Sequence, residues 1–218
     1  RVRLTLEERE RVYRYGVRLT VDLRSRMETQ AAPSCLMGYR DIRYVSAPLS
    51  DQVHDRKKEE GISSDIGQMY LQLLEDSGSV LCRLFSEMAH APERCILFHC
   101  TAGKDRTGIV AMLLLLLAGV GREDVLADYA ESERHLPFWR ETQELLYRQT
   151  GILAPEAVFR SKPEFMERAI LHLEQAYGGA PAYLRQIGLT EEELRLLKKR
   201  LLEGAEGSAQ WERGDSGH

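Results

Sequence analysis

A chain of 218 residues, 43% hydrophobic and 29% charged, has enough apolar content to bury the core of one large domain. Its 30 basic and 34 acidic side chains leave a net charge of −4, without the basic excess that nucleic-acid binding requires. Cys35, Cys82, Cys95 and Cys100 form no C-x-x-C pair, which argues against a zinc ribbon or a thioredoxin-type centre and for reduced thiols. The longest apolar stretch, Ile109 to Val120, falls short of the roughly 20 residues that a membrane-spanning helix needs.

In chain order, Thr5-Leu6-Glu7-Glu8 has the form of a capping box that opens a helix to Tyr15, with Gly16 at its C-terminal end. Val17 to Leu23 and Ile42 to Ala47 are β-branched strands, the second closed by Pro48. Between them SRMETQAAPSCLMG, residues 25 to 38, reads as an irregular loop, and HDRKKEEG after Asp51 as a solvated one. Helices are predicted over Ser63 to Glu75 and Ser79 to Met88, separated by Ser77-Gly78. Arg94 to His99 is a continuous apolar strand whose lack of alternation predicts burial on both faces, as in central parallel strands. Everything downstream of the Ile109 core helix reads helical: Arg122 to Glu133, Pro137 to Gln149, Ser161 to Tyr177 and Thr190 to Leu202, the last two each opened by a capping box. The Gly-rich tail from Gly204 is expected to be flexible unless Trp211 docks. Strands alternating with helices, then helices alone, predict an α/β core with helical additions in a single domain, residues 1–203.

HCTAGKDRTG, residues 99 to 108, lies where the apolar strand meets the core helix, and a plain core helix needs none of its polar residues. Singly, each has a bland reading: Cys100 as packing, His99 as a satisfied core histidine, Gly103 and Gly108 as turn and packing glycines, Thr107 as an N-cap. Together they match the demands of metal-free dephosphorylation, which are an anionic nucleophile, donors for the phosphoryl oxygens and an acid for the leaving oxygen. Cys100 is the candidate nucleophile. The stretch Thr101, Ala102, Gly103, Lys104, Asp105 and Arg106 can curl its amides around one anion, and the positive field of the helix N-terminus favours the thiolate. Arg106 offers two oxygens a planar fork that lysine lacks. Thr107 is placed to donate to the sulfur, and His99 to orient the loop.

This stretch resembles the HCxxGxxRTG signature of the cysteine-dependent protein tyrosine phosphatases, and its GKDR centre is similar to their atypical bacterial branch, typified by secreted tyrosine phosphatase B and lipid-phosphatase-like proteins. TVDLRS (20–25), MYLQLLEDS (69–77), DVLADYAES (124–132) and YGGAPAYL (177–184) are similar to segments of that branch, so nearly the whole chain is covered. The resemblance implies a central, mostly parallel sheet flanked by helices with a helical C-terminal half, a phosphocysteine intermediate, and neither metal nor other cofactor. The RDLGG segment of that branch is absent from the sequence, which starts just after it, so a first strand is expected to be missing or supplied otherwise.

Conventional members carry their general acid in a Trp-Pro-Asp loop, but neither Trp139 nor Trp211 is followed by Pro-Asp. Two aspartates are candidates instead. Asp51 follows APLS after the second strand, where the carboxyl ends of parallel strands face a ligand. Asp105 lies inside the loop, where an adjacent phosphate dianion favours its protonated, donating form. Lys104 would counter that negative charge and can hold a second acidic group of the substrate, while Asp22 either pairs with Arg24 or positions the loop. The implied partner is a phosphotyrosine protein or peptide, with phosphoserine, phosphothreonine and phosphoinositide esters next. Nucleic acid is not expected, nor a transmembrane segment; a monomer is, in the cytoplasm or secreted without a recognisable signal. The competing classes are an inactive phosphate-binding module, which usually loses Cys or Arg, and a thiol redox or sulfur-transfer enzyme, which wants a resolving thiol.

Overall fold

The computed structural model describes residues 4–49, 65–92, 94–135, 144 and 155–202. Helix α1 (Leu6–Arg14) starts at a closed capping box: the Glu8 amide donates to Thr5 Oγ1 at 3.2 Å and the Thr5 amide to Glu8 Oε2 at 2.6 Å. The chain then enters β1 (Val17–Asp22), which is parallel to both β2 (Arg43–Ser46) and β3 (Cys95–His99), in the order β2-β1-β3. Asp22 stands opposite Ser46 on one side and His99 on the other, so the carboxyl ends of all three strands lie at one rim.

Two expectations from the pattern are corrected here. The central strand is β1, buried along nearly all of its length, whereas β3 is an edge of the described sheet and only half-buried. A continuous apolar run reports that helices flank both faces of a strand; it carries no information about whether a further strand lies beside it. The supposed loop between β1 and β2 holds a helix, α2 (Arg26–Ala31), opened by a closed Ser25/Glu28 capping box.

Helices α3 (Ile66–Asp76) and α4 (Gly78–Ala89) precede β3, and α5 (Asp105–Ala118) follows it, burying Ile109, Val110, Met112, Leu113, Leu114 and Leu117. These positions run around most of the helix circumference, as in a helix packed on several sides. Next come α6 (Arg122–Glu131), α7 (Pro163–Tyr177), α8 (Ala180–Gln186) and α9 (Glu191–Leu202). The Thr190/Glu193 box that opens α9 is formed. The Ser161/Glu164 box is not: Lys162 is the N-cap of α7, and the Ser161 amide donates to Glu133 Oε2 at 3.1 Å. A residue before proline is pushed out of the helical region, so Lys162, preceding Pro163, cannot be the first helical residue that such a box requires.

All four cysteines are free thiols, and no described helix is long and apolar enough to cross a membrane. Asp51 and its charge run lie outside the described residues, as do most of the predicted 137–149 helix and the tail from Gly204.

Candidate active site

β3 ends at His99, and the next residue, Cys100, is 8% exposed at the base of a loop whose Thr101, Ala102 and Gly103 face solvent. Gly103 has φ +72°, a left-handed conformation that glycine adopts without strain and that turns the loop back over the cysteine. As a result its amide donates to Cys100 Sγ at 3.2 Å. Thr107 Oγ1, from the first turn of α5, donates to the same sulfur, also at 3.2 Å. Two donors and the first turn of a helix thus converge on one sulfur.

Beneath the loop, the carbonyl of Cys100 accepts from His99 Nδ1 at 3.1 Å, which leaves His99 Nε2 turned toward Asp22 Oδ2, 3.9 Å away. Asp22 is fully buried and takes a two-point contact from Arg24 (2.9 and 2.7 Å) and a hydrogen bond from the Tyr44 hydroxyl (3.0 Å). Burial pushes its carboxyl up, but the bonds from Arg24 outweigh that and hold it below its ordinary value. Burial, with the Asp22 charge behind it, pushes Tyr44 up to about 12. Asp22 is thus both the partner of Arg24 and the floor under His99.

Arg106 extends its fork to Glu28, at 2.6 and 3.0 Å, and Thr101 donates to the same carboxylate. Lys104 and Asp105 turn the other way. Lys104 is 2% exposed, its Nζ donating to the Arg160 carbonyl and to Asp105 Oδ1, both at 2.8 Å. Asp105 Oδ1 also accepts from the Tyr70 hydroxyl at 2.5 Å. Ala102, Gly103, Thr107 and Gly108 line one wall of a cavity of about 310 Å³, with Asp128 and Tyr129 on the other.

The pattern that defines the tyrosine phosphatase family matches residues 2–203. The chain belongs to that family. It is 34% identical over 212 residues to a tyrosine-protein phosphatase of Nostoc commune, an alignment covering 91% of this chain and 71% of the relative. It is also 32% identical over 125 residues to the triple specificity protein phosphatase PtpB of Mycobacterium tuberculosis, covering 51% of this chain and 45% of that protein. The protein is therefore a phosphatase, and its substrates are phosphorylated.

Of the phosphatase residues singled out in the sequence, Asp22, His99, Cys100, Thr101, Gly103, Arg106 and Thr107 are gathered at the rim of the sheet, directly or through Glu28. Lys104 and Asp105 are joined to each other on the inner side of the loop, and Asp51 falls outside the described residues. Sequence reasoning passed over Glu28, Tyr70 and Tyr129. For Glu28 a signal existed: Ser25-x-x-Glu28 is a capping box, and the carboxylate that closes it, accepting from the Ser25 amide at 2.8 Å, is the one that holds Arg106.

Burial pushes the Glu28 carboxyl up, but the bonds from Arg106 and Thr101 outweigh it and hold it well below the usual carboxylate range. A group depressed in the folded state stabilises the fold above its unfolded value, near pH ~4.3 for glutamate, and that contribution is lost as pH falls through the folded value. Glu28→Gln is expected to flatten the acid-side fall of the thermal midpoint below about pH 4. With Arg106 no longer held by a charged partner, kcat should drop by up to about 100-fold, the scale of misplacing a reacting group by an ångström. An unchanged kcat would show that Arg106 needs no such anchor.

Proposed function

We propose that this phosphatase hydrolyses phosphotyrosine in proteins or peptides through a phosphocysteine intermediate, without a metal. The convergence of the Gly103 amide and the Thr107 hydroxyl on Cys100 Sγ carries this reading. Cys100 attacks phosphorus in line as the phosphorus–oxygen bond to the tyrosine breaks, and the electron pair leaves on the phenolic oxygen, which takes a proton from an aspartate. The amides of residues 101 to 106 and the Arg106 fork hold the three equatorial oxygens, where charge accumulates. Water then attacks phosphorus, giving a proton back to the same aspartate, as the phosphorus–sulfur bond breaks; inorganic phosphate departs, and Thr107 stabilises the sulfur as it leaves.

Asp105 is assigned as the acid, with Asp51 as the alternative. Two donors occupy Asp105 Oδ1, which supports delivery of a proton from Oδ2. Asp105→Asn is expected to slow phenyl phosphate turnover by about 10²–10⁴-fold, the usual worth of a general acid, and p-nitrophenyl phosphate turnover far less, because nitrophenolate departs unprotonated. If Asp51→Asn shows that leaving-group dependence and Asp105→Asn does not, the assignment passes to Asp51.

The triple specificity in the name of the mycobacterial relative supports acceptance beyond phosphotyrosine. Phosphoserine, phosphothreonine and phosphoinositide esters are the ones to test. The inward engagement of Lys104 favours peptides, since contact with a second headgroup phosphate would break its bonds to Arg160 and Asp105. Turnover of p-nitrophenyl phosphate that vanadate inhibits and EDTA does not, followed by a panel of phosphopeptides against phosphoinositides, tests the whole reading; no turnover of any ester would overturn it.

A further inference from the structure

Asp105 is gripped from inside the protein by groups that the loop motif does not contain. Tyr70, on α3, is fully buried, and its ring meets that of Tyr129, on α6, edge to face, with centroids 6.1 Å apart and planes at 87°. The two hydroxyls are 2.7 Å apart, and Tyr70 lies 2.5 Å from Asp105 Oδ1. Each hydroxyl has one proton. Tyr70 donates its own to the carboxyl oxygen, so Tyr129 must donate to Tyr70, and the chain has one direction. Gly108 makes room for it: a Cβ there would come within 3.2 Å of the Tyr129 ring and 3.3 Å of Met166.

We infer that Tyr70 is a positioning residue of the reaction: the directed chain from Tyr129 through Tyr70 to Asp105 Oδ1 fixes which carboxyl oxygen carries the proton delivered to the leaving group. The inference rests on the proposed role of Asp105 as the acid. With Tyr70 and the Lys104 ammonium both donating to Oδ1, a proton on that oxygen would face two hydrogens already there, so the proton rides on Oδ2. Tyr70 stays a donor at every working pH, because burial first, and the Asp105 and Tyr129 neighbours next, hold its hydroxyl well above its ordinary value. The charged groups around the chain are Lys104 and Arg106 on the loop and α5, and Glu133 beyond α6, which acts on Tyr129.

Tyr70→Phe removes one hydroxyl and keeps the ring. With phenyl phosphate, kcat should fall about tenfold, the kinetic equivalent of one hydrogen bond to a charged group, with KM unchanged, while p-nitrophenyl phosphate turnover falls less than about twofold. A purely structural hydroxyl would lower both esters alike, and that result overturns the inference. Asp105→Asn run in parallel separates the two claims. If it shows leaving-group dependence and Tyr70→Phe does not, only the positioning role falls; if it shows none, the acid assignment falls and takes this inference with it. Should Tyr70→Phe fail to fold, Tyr129→Phe carries the test: a smaller loss confined to phenyl phosphate supports the chain, and an equal loss with both esters refutes it.

Discussion

Cys100→Ser is expected to leave no measurable turnover of p-nitrophenyl phosphate while inorganic phosphate still binds, as read by calorimetry. The Gly103 amide and the Thr107 hydroxyl each lie 3.2 Å from the sulfur, a spacing suited to a large, polarisable atom. A serine hydroxyl is a weak nucleophile without an adjacent base; the imidazole of the preceding residue, His99, is bonded through Nδ1 to the backbone carbonyl instead. The loss should be on the order of 10⁶-fold, as for removal of the nucleophile from other covalent hydrolases. In the proposed mechanism loop amides and Arg106, not the sulfur, hold the phosphate oxygens, so binding should survive. Appreciable turnover by the serine variant would refute covalent catalysis at this position.

Arg106→Lys should lower kcat by about 10²–10³-fold, the scale of losing an oriented donor to a transition-state oxyanion. The guanidinium makes a two-point contact with Glu28, which sets the plane of its fork. An ammonium keeps the charge but has no plane, and cannot hold Glu28 and two phosphoryl oxygens in fixed directions together. Because Glu28 acts through Arg106, adding Glu28→Gln to Arg106→Lys should cost much less than the product of the two single effects. Multiplicative losses would mean that Glu28 serves the reaction by another route. Glu28 also accepts from Thr101, at the other end of the loop, so one carboxylate ties both ends of the loop together.

The loop and its neighbours were unequally legible in the sequence. Cys100, Gly103, Arg106 and Thr107 lie within eight residues, and the turn that brings them together is dictated locally, by a glycine able to take positive φ and by a helix start. Glu28 stands 78 positions before Arg106, in a stretch whose Ala-Ala-Pro-Ser end suggests a loop; its capping box was the one local trace of a helix there. Tyr70 and Tyr129 carry no trace, since a tyrosine on a helix reads the same whether its hydroxyl meets solvent or a buried carboxylate. Strand order was hidden for a related reason: alternation and apolar runs record the faces of a strand and not what lies beside it.

By itself, then, the sequence determined the α/β class, the strand-to-helix placement of the loop and the position of Cys100 at its base, because each depends on residues close together in the chain. Only the tertiary structure decided that β1 is the central strand, that Glu28 holds Arg106, that Lys104 points inward and that the buried Tyr70, backed by Tyr129, reaches Asp105. Those are contacts between distant segments, set by how helices pack on the sheet, and side-chain packing leaves no periodic mark on the chain that makes it.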